Sequence, residues 1–353
     1  MSFKMMELVI AYQLERVSLD FINRRTGESA TGTDSRKAEL SRLHHGAVAI
    51  GKFHGDTGSD FLRAFDFDLS LRYDVVSDDA LGSAPGGDQS TAENPGARDW
   101  SNFTFKAAVN LNGYRDDFFL AAFLNYGSNV KFPTLFQQIS SPLALADTSA
   151  PPGLEPEMSR GFEIGVELRR RQRDGGALYG WHMSANVFQN YFENKFRVYT
   201  SPGIPIVFYD NVQTARISGL EGKAGVYLFD KKVEISAGLS RYFISDPAAF
   251  PFKSDAKRTL RLTVNHAWYA LDMLWFTESE QSGWLREPDG TFAEAVLPEF
   301  TNLDVHAGKS FAIGKVTFFI NASIRNLLND GNAVLQGLAL RDRRYYVTGG
   351  IQY

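Results

Sequence analysis

The chain closes with DRRYYVTGGIQY, Asp342 to Tyr353, and this stretch decides how the rest is read. Taken two residues at a time, Tyr345, Val347, Gly349, Ile351 and Tyr353 share one face, while Arg344, Tyr346, Thr348, Gly350 and Gln352 share the other. Side chains of a β-strand alternate between faces, so this is a strand with one apolar and one polar side, ending on an aromatic terminus. A soluble sandwich can end in the same way. The reading therefore depends on whether the pattern recurs upstream and how the connections are arranged.

It recurs throughout. Phe65, Phe67, Leu69, Leu71 and Tyr73 alternate with Asp66, Asp68, Ser70, Arg72 and Asp74. Val316, Phe318, Ile320, Ala322 and Ile324 alternate with Thr317, Phe319, Asn321, Ser323 and Arg325. No comparable segment repeats every 3.6 residues, so the chain is all-β. The alternation predicts about 15 strands. They fall at 4–13, 15–24, 40–54, 61–74, 101–112, 115–127, 159–172, 177–192, 211–229, 232–245, 257–268, 270–280, 299–311, 315–328 and 342–353.

Short connections at 13–15, 55–60, 112–115, 173–176, 229–232, 268–270 and 311–315 carry turn residues such as Asn112-Gly113 and Asp174-Gly175-Gly176. Between them lie long connections at 25–39, 75–100, 128–158, 193–210, 246–256, 281–298 and 329–341, rich in Gly, Pro, Ser and Asp. A soluble sandwich or propeller gives no reason for every long loop to lie on one side. A transmembrane antiparallel β-barrel does, with short turns in the periplasm and long loops outside. Its apolar face meets lipid and its polar face lines a wet lumen, and closure satisfies the backbone where no water is present.

Composition agrees by exclusion. The net charge of -4 with scattered Lys and Arg argues against nucleic acid, and the lack of cysteine excludes a disulfide scaffold. The longest apolar run, Phe118–Leu124, is about a third of a membrane helix. The opening MSFKMMELVIAYQLERVSLDF has no sustained apolar core or small-residue cleavage site and is not read as a signal peptide. That leaves a cytoplasmic protein or a chain lacking its front.

Three passages resemble the C-terminal barrel of TonB-dependent receptors of the Gram-negative outer membrane. YGSNVKFPTLFQQ (Tyr126–Gln138) followed by GLEPEMSRGFEIGVE (Gly153–Glu167) is similar to the family's aromatic-Pro exit and Leu-x-Pro-Glu return. VFQNYFENKF (Val187–Phe196) and DNVQTARISGLEGKAG (Asp210–Gly225) resemble its Asn-x-x-x-Ala-x-Ile-x-Gly-Leu-Glu strand. SIRNLLND (Ser323–Asp330) with RRYYVTGGIQY resembles its closing pair. The resemblance covers about residues 60–353. Where the family often carries Arg before the Pro, this chain has Lys131-Phe132.

The resemblance implies a 22-stranded barrel with an N-terminal plug; neither the plug nor its energy-coupling box is visible here, and the strands read amount to about the C-terminal two-thirds of such a barrel. Residues 1–353 are therefore expected to be the C-terminal portion of a larger barrel, through truncation, a split gene or a misplaced start. An odd strand count, with the first residue on the long-loop side, is a further ground for this. The implied function is TonB-energised uptake of a scarce solute such as a ferric siderophore, cobalamin or an oligosaccharide. The implied partners are outer-membrane lipid, the missing plug and barrel portion, and a TonB-type coupling protein acting through that plug. The alternative is a plugless channel or a barrel whose loops 75–100 and 128–158 bind a partner.

No catalytic constellation, cofactor motif or metal set is present in the sequence. His44 and His45 fall on opposite faces of a strand and cannot chelate one ion. Asp66, Asp68 and Asp74 with Arg72 form a lumen-facing row, read as a hydrated wall with cross-strand pairing or, alternatively, as solute or plug contacts. His182 and His306 also fall on lumen faces, as does Arg325. Asp66, Asp68, Arg72, His306 and Arg325 are the substrate-binding candidates. Trp181, Trp268, Trp275 and Tyr353 lie near strand ends, as interfacial girdles do, with ligand stacking the alternative.

Overall fold

The computed structural model describes residues 2–24, 35–80, 98–139, 154–171, 176–201, 204–267, 269–286, 291–330 and 343–352. The first strands are β1 (Ser2–Arg24), β2 (Ser35–Asp56), β3 (Leu62–Ala80), β4 (Arg98–Arg115) and β5 (Phe118–Lys131). A single helical turn, α1 (Leu135–Ile139), follows. Next come β6 (Glu157–Arg171), β7 (Leu178–Ser201), β8 (Ile204–Leu228), β9 (Val233–Ile244), β10 (Ala256–His266) and β11 (Tyr269–Glu278). The hairpin β12 (Gln281–Arg286) and β13 (Phe292–Leu297) precedes β14 (Phe300–Ile313), β15 (Val316–Arg325) and β16 (Arg344–Gln352). Fourteen strands form one antiparallel meander in chain order, and β12–β13 lies off that path.

Three sequence expectations are corrected. The strands read at 4–13 and 15–24 are one, because β1 pairs with β2 without a break across Leu14↔His45 and Glu15↔His44. Residues 13–15 are Gln, Leu and Glu. None of them favours a turn, and Leu14 continues the face of Leu8, Ile10 and Tyr12. The path is therefore even-numbered. Ser2 pairs with Asp56 beside the short 57–61 turn, not on the long-loop side. The odd count and the misplaced N-terminus are withdrawn as grounds for incompleteness.

Second, 193–210 is not an irregular loop. β7 and β8 run on as a ladder through Phe196↔Asn211 and Arg197↔Asp210, past Asn194, whose φ is +53°. Third, 281–298 contains the β12–β13 hairpin, which touches the tip of β7 at Leu285↔Thr200. A smaller shift occurs at 112–115. There β4 continues to Arg115, and the turn falls at Asp116–Asp117, with Asp116 at φ +52°.

The register keeps each face uniform from strand to strand. One row reads Val109, Leu124, Ile164, Val187 and Leu220 across β4 to β8, all apolar. This face is exposed: Ile10 at 75%, Val347 at 73% and Met6 at 68% lead a long series of bare apolar side chains. A water-soluble monomer does not present such a surface, whereas lipid would cover it. The opposite face carries Asp, Glu, Lys, Asn and Ser. Buried apolar residues such as Val76, Leu135, Leu154, Phe196 and Leu285 gather instead at the long-loop end.

Interior strands satisfy their backbone on both sides, but β1 pairs only with β2 and β16 only with β15 among the described residues. The sheet is open at this seam, as expected. The reason is not a clash of direction, because with fourteen strands β1 and β16 would meet antiparallel.

Candidate functional site: the polar face of the sheet

The alternation of β3 places Asp66, Asp68 and Arg72 on the polar face, and the register decides their partners. Asp66 faces His54 across the ladder and shares a 2.6 Å hydrogen bond with its Nδ1, while Asn112 donates to the other carboxylate oxygen at 3.4 Å. Asp68 pairs in register with Lys52. Arg72 binds along its own strand, donating from Nε and Nη2 to Asp74 at 2.7 Å each. Asp74 also bonds His44 Nε2 at 2.8 Å. Pairing across strands, the expectation for this row, is thus supplied by His44, His54 and Asn112 and by a 3.3 Å bond from Arg72 Nη2 to Gln13 Oε1 of β1, while Arg72 also closes on the residue two positions along.

His306 of β14 bonds Ser323 of β15 through Nδ1 at 2.8 Å, and Arg325 lies 5.7 Å from the centre of the Tyr346 ring. Eight strands of the path, β4 to β11, separate this pair from the β3 group. The five candidates share one face but do not converge on one site. His45 turns to the outer face and Tyr12, opposite to His44, as the alternation requires. His182 lies on the polar face near the Tyr227 ring, 5.1 Å away. Trp181 and Trp275 lie on the apolar face, and Trp268 and Tyr353 fall outside the described residues.

At the long-loop end the structure builds a cluster that the sequence reading missed. After β5, the segment Phe132–Ile139 folds back over β2 to β4. Arg42 Nη2 donates to the Pro133 carbonyl at 2.6 Å, and the same guanidinium holds Asp78 through two bonds of 2.6 Å. Gln138 adds a 2.5 Å bond to Asp78. Phe132 packs against Trp100 and His44, with ring centres 6.3 and 6.0 Å apart. Asp74 and Asp78 are each 2% exposed. Burial of carboxylates to this degree is tolerable because each meets a two-pronged guanidinium. The signal available in the sequence was the four-residue spacing of Asp74 and Asp78, which puts both on one face of one strand.

A second constellation closes the next part of the rim. Glu157, nearly buried, accepts from Lys195 Nζ at 3.0 Å and from the Phe196 backbone N–H at 2.7 Å. Lys195 lies between the Phe192 and Phe250 rings, at 5.0 and 5.7 Å. These contacts fix the base of the protruding β7–β8 hairpin.

Below the rim, the polar face opens into a recess of about 610 Å³ over β4 to β8, lined by Lys106, Asn125, Glu163, Asn186, Asn190 and Glu221. Two glycines make room for it. Gly127 and Gly161 are cross-strand partners, and a Cβ on Gly127 would lie 2.6 Å from the Phe105 carbonyl. Asn186 donates to Glu163 at 2.9 Å and Tyr242 to Glu221 at 2.6 Å. The carboxylate oxygens not engaged in these bonds, with the Asn amides and the exposed Lys106, can bind a polar solute through several weak hydrogen bonds. Sequence reading proposed none of these residues as binding candidates, because each is an ordinary polar strand position until the register aligns them.

Comparison with known proteins follows the same lines. Residues 58–327 match the family described as TonB dependent receptor-like, beta-barrel. No curated protein matches the sequence. Among solved structures, the copper transporter OprC aligns with a TM-score of 0.66 at 14% identity, over 98% of this chain and 54% of that one. The unliganded ferric citrate transporter FecA aligns at 0.63 and 15%, over 98% and 52%. The ferric-catecholate import receptor Fiu of E. coli K12 aligns at 0.60 and 13%, over 98% and 51%. At such identities the likeness is one of fold. The chain spans about half the length of these structures.

Proposed function

The chain belongs to the TonB-dependent receptor-like β-barrel family, and from that premise we propose that residues 1–353 form the C-terminal barrel portion of an outer-membrane receptor for a scarce solute. The family is one of outer-membrane transport receptors, not enzymes. The observation that carries the proposal is the division of the sheet into two faces. Bare aliphatic rows cover one side and suit lipid, and a hydrated wall with the Glu163–Asn186 recess occupies the other. A solute would be caught at the rim and passed along this wall when a plug, held by a TonB-type coupling protein, moves. Asp66, Asp68, Arg72, His306 and Arg325 would line the same route as polar contacts. The open seam and the half-length coverage support a complementary barrel portion that carries the plug. The ferric chelates and copper named for the similar structures make metal complexes the first solutes to try, with cobalamin and oligosaccharides next.

The test is uptake by cells that carry the chain together with the plug-bearing portion. Labelled ferric siderophores, cupric ion and cobalamin are supplied with and without a functional TonB-type partner. The proposal expects accumulation of one solute that stops when the partner is deleted. A steady ion current through the barrel in planar bilayers, indifferent to that partner, would instead establish a passive channel.

A further inference from the structure

At the short-turn end of β4 to β7 the outward row stops being apolar. By register, Arg115 of β4 stands beside Phe118 of β5, Phe118 beside Arg170 of β6, and Arg170 beside Trp181 of β7. Arg115 follows Leu111 by four residues and Arg170 follows Leu168 by two. Strand alternation therefore sends both guanidiniums out on the apolar side. Both residues are exposed. The change is local, because the same end of β8 and β9 carries Leu228 and Val233 as cross-strand partners.

Neither arginine is neutralised. Among the described residues no group hydrogen-bonds to either guanidinium, and no carboxylate lies within ion-pair distance of one. The ground around them is aromatic. Phe118 lies against Trp181 with ring centres 6.2 Å apart, and Phe61 stacks on Phe118 at 6.1 Å. Phe118 and Trp181 come from the strands on either side of β6, so their rings close toward each other across Arg170.

Further along the same strands the apolar face is furrowed. Ala122, Val166 and Ala185 form a small-residue row across β5 to β7, between the bulkier rows Leu120, Leu168, Met183 and Leu124, Ile164, Val187. The furrow is an apolar groove of about 580 Å³. Val166 on its floor is four residues from Arg170 along β6, about 13 Å at roughly 3.3 Å per residue. Charge, rings and groove thus follow one another on three strands.

We propose that this face holds one glycerophospholipid of the periplasmic leaflet, with its single phosphodiester between Arg115 and Arg170 and an acyl chain in the groove. The inference rests on the membrane reading above, which puts the short turns in the periplasm. A guanidinium stays charged and presents paired donors that match two phosphate oxygens. On a lipid-facing surface such a charge is costly until an anion meets it. The two arginines are two strand spacings apart, about 10 Å at roughly 4.8 Å per strand. Side chains of that length converge on one phosphate placed over Phe118. Trp181 stands at the same level, where an indole sits among headgroups with its N–H toward an acceptor. An anionic headgroup such as phosphatidylglycerol fits better than phosphatidylethanolamine, whose ammonium two guanidiniums repel.

The test uses the full chain purified from outer membranes. It is presented with vesicles containing phosphatidylglycerol, phosphatidylethanolamine or diacylglycerol of the same acyl chains, and retained lipid is measured by native mass spectrometry. The expected order is phosphatidylglycerol above phosphatidylethanolamine above diacylglycerol. R115Q/R170Q should lower retention of phosphatidylglycerol about tenfold, while R115K/R170K keeps most of it. Ala185→Leu, which fills the groove, should lower retention of all three lipids and leave their order intact. Equal retention of the three lipids by the unaltered chain, no change in R115Q/R170Q, or full retention in Ala185→Leu overturns the site. Failure of the unaltered chain to fractionate with outer membranes overturns the membrane reading instead, and the two failures are read from different measurements.

Discussion

Ile320 and Asn321 are neighbours in sequence with opposite surroundings. Ile320 is 51% exposed on the apolar face between Lys309 and Gly349, whereas Asn321 stands on the polar face between Gly308 and Thr348. Ile320→Arg should cost on the order of 2–4 kcal/mol if the position lies near the bilayer midplane. Asn321→Arg should change little. Urea titration of each variant folded into phospholipid vesicles gives both values, and similar losses for the two would reverse the assignment of faces. Asp78 allows a second residue-level prediction. Asp78→Asn leaves the Arg42 guanidinium, 12% exposed, without its charge partner, and removing one member of a buried pair costs about 3–5 kcal/mol. The loss should be local: hydrogen exchange of residues 132–138 should accelerate while the β5–β6 ladder keeps its protection. Unchanged exchange in that segment would show that Arg42 does not hold it.

Among the elements, β16 and the β7–β8 hairpin should respond in opposite ways to deletion. β16 completes the ladder of β15 from Thr317↔Gln352 to Arg325↔Arg344, and Phe319 packs over Gly350. Removing Tyr345–Tyr353 bares the whole edge of β15 in a medium without water, so assembly should fail outright. A heat-modifiable, folded band from that truncation would contradict this. Shortening the hairpin tip by joining residue 196 to residue 211, which are cross-strand partners, removes only the protruding ladder. Folding should survive, and any solute capture at the rim should weaken. The hairpin escaped the sequence reading because Pro202, Gly203 and Pro205 signal a loop. The ladder below them is held by the Arg197–Asp210 pair at 2.5 Å and by Glu157, neither of which has a local signature.

At the scale of the whole molecule, the open edges of β1 and β16 are the central fact. Ile10 and Val347 lie on the same face of these two edge strands. The chain has no cysteine of its own, so Ile10→Cys with Val347→Cys is a clean reporter. In membranes containing this chain alone, oxidation should give no intramolecular crosslink. An efficient crosslink would show that fourteen strands close on themselves and would remove the need for a complementary portion. The even count makes that outcome topologically allowed, and only the measurement separates the two arrangements.

Alternation of apolar and polar side chains is local, and it determined the all-β class, both faces, and most strands from β3 to β16, down to the sides taken by His44 and His45. Turn chemistry is nearly as local, which is why Asp116–Asp117 was missed by only a few residues. The continuity of β1 was legible too, in the absence of any turn former at residues 13–15. What the sequence could not determine was alignment between strands. The recess at Glu163 and Asn186, the Arg42–Asp78–Gln138 lock and the row of outward arginines each join residues from three or more strands or connections. Which side chains meet depends on register, and register is a property of paired strands, so only the tertiary structure decided it.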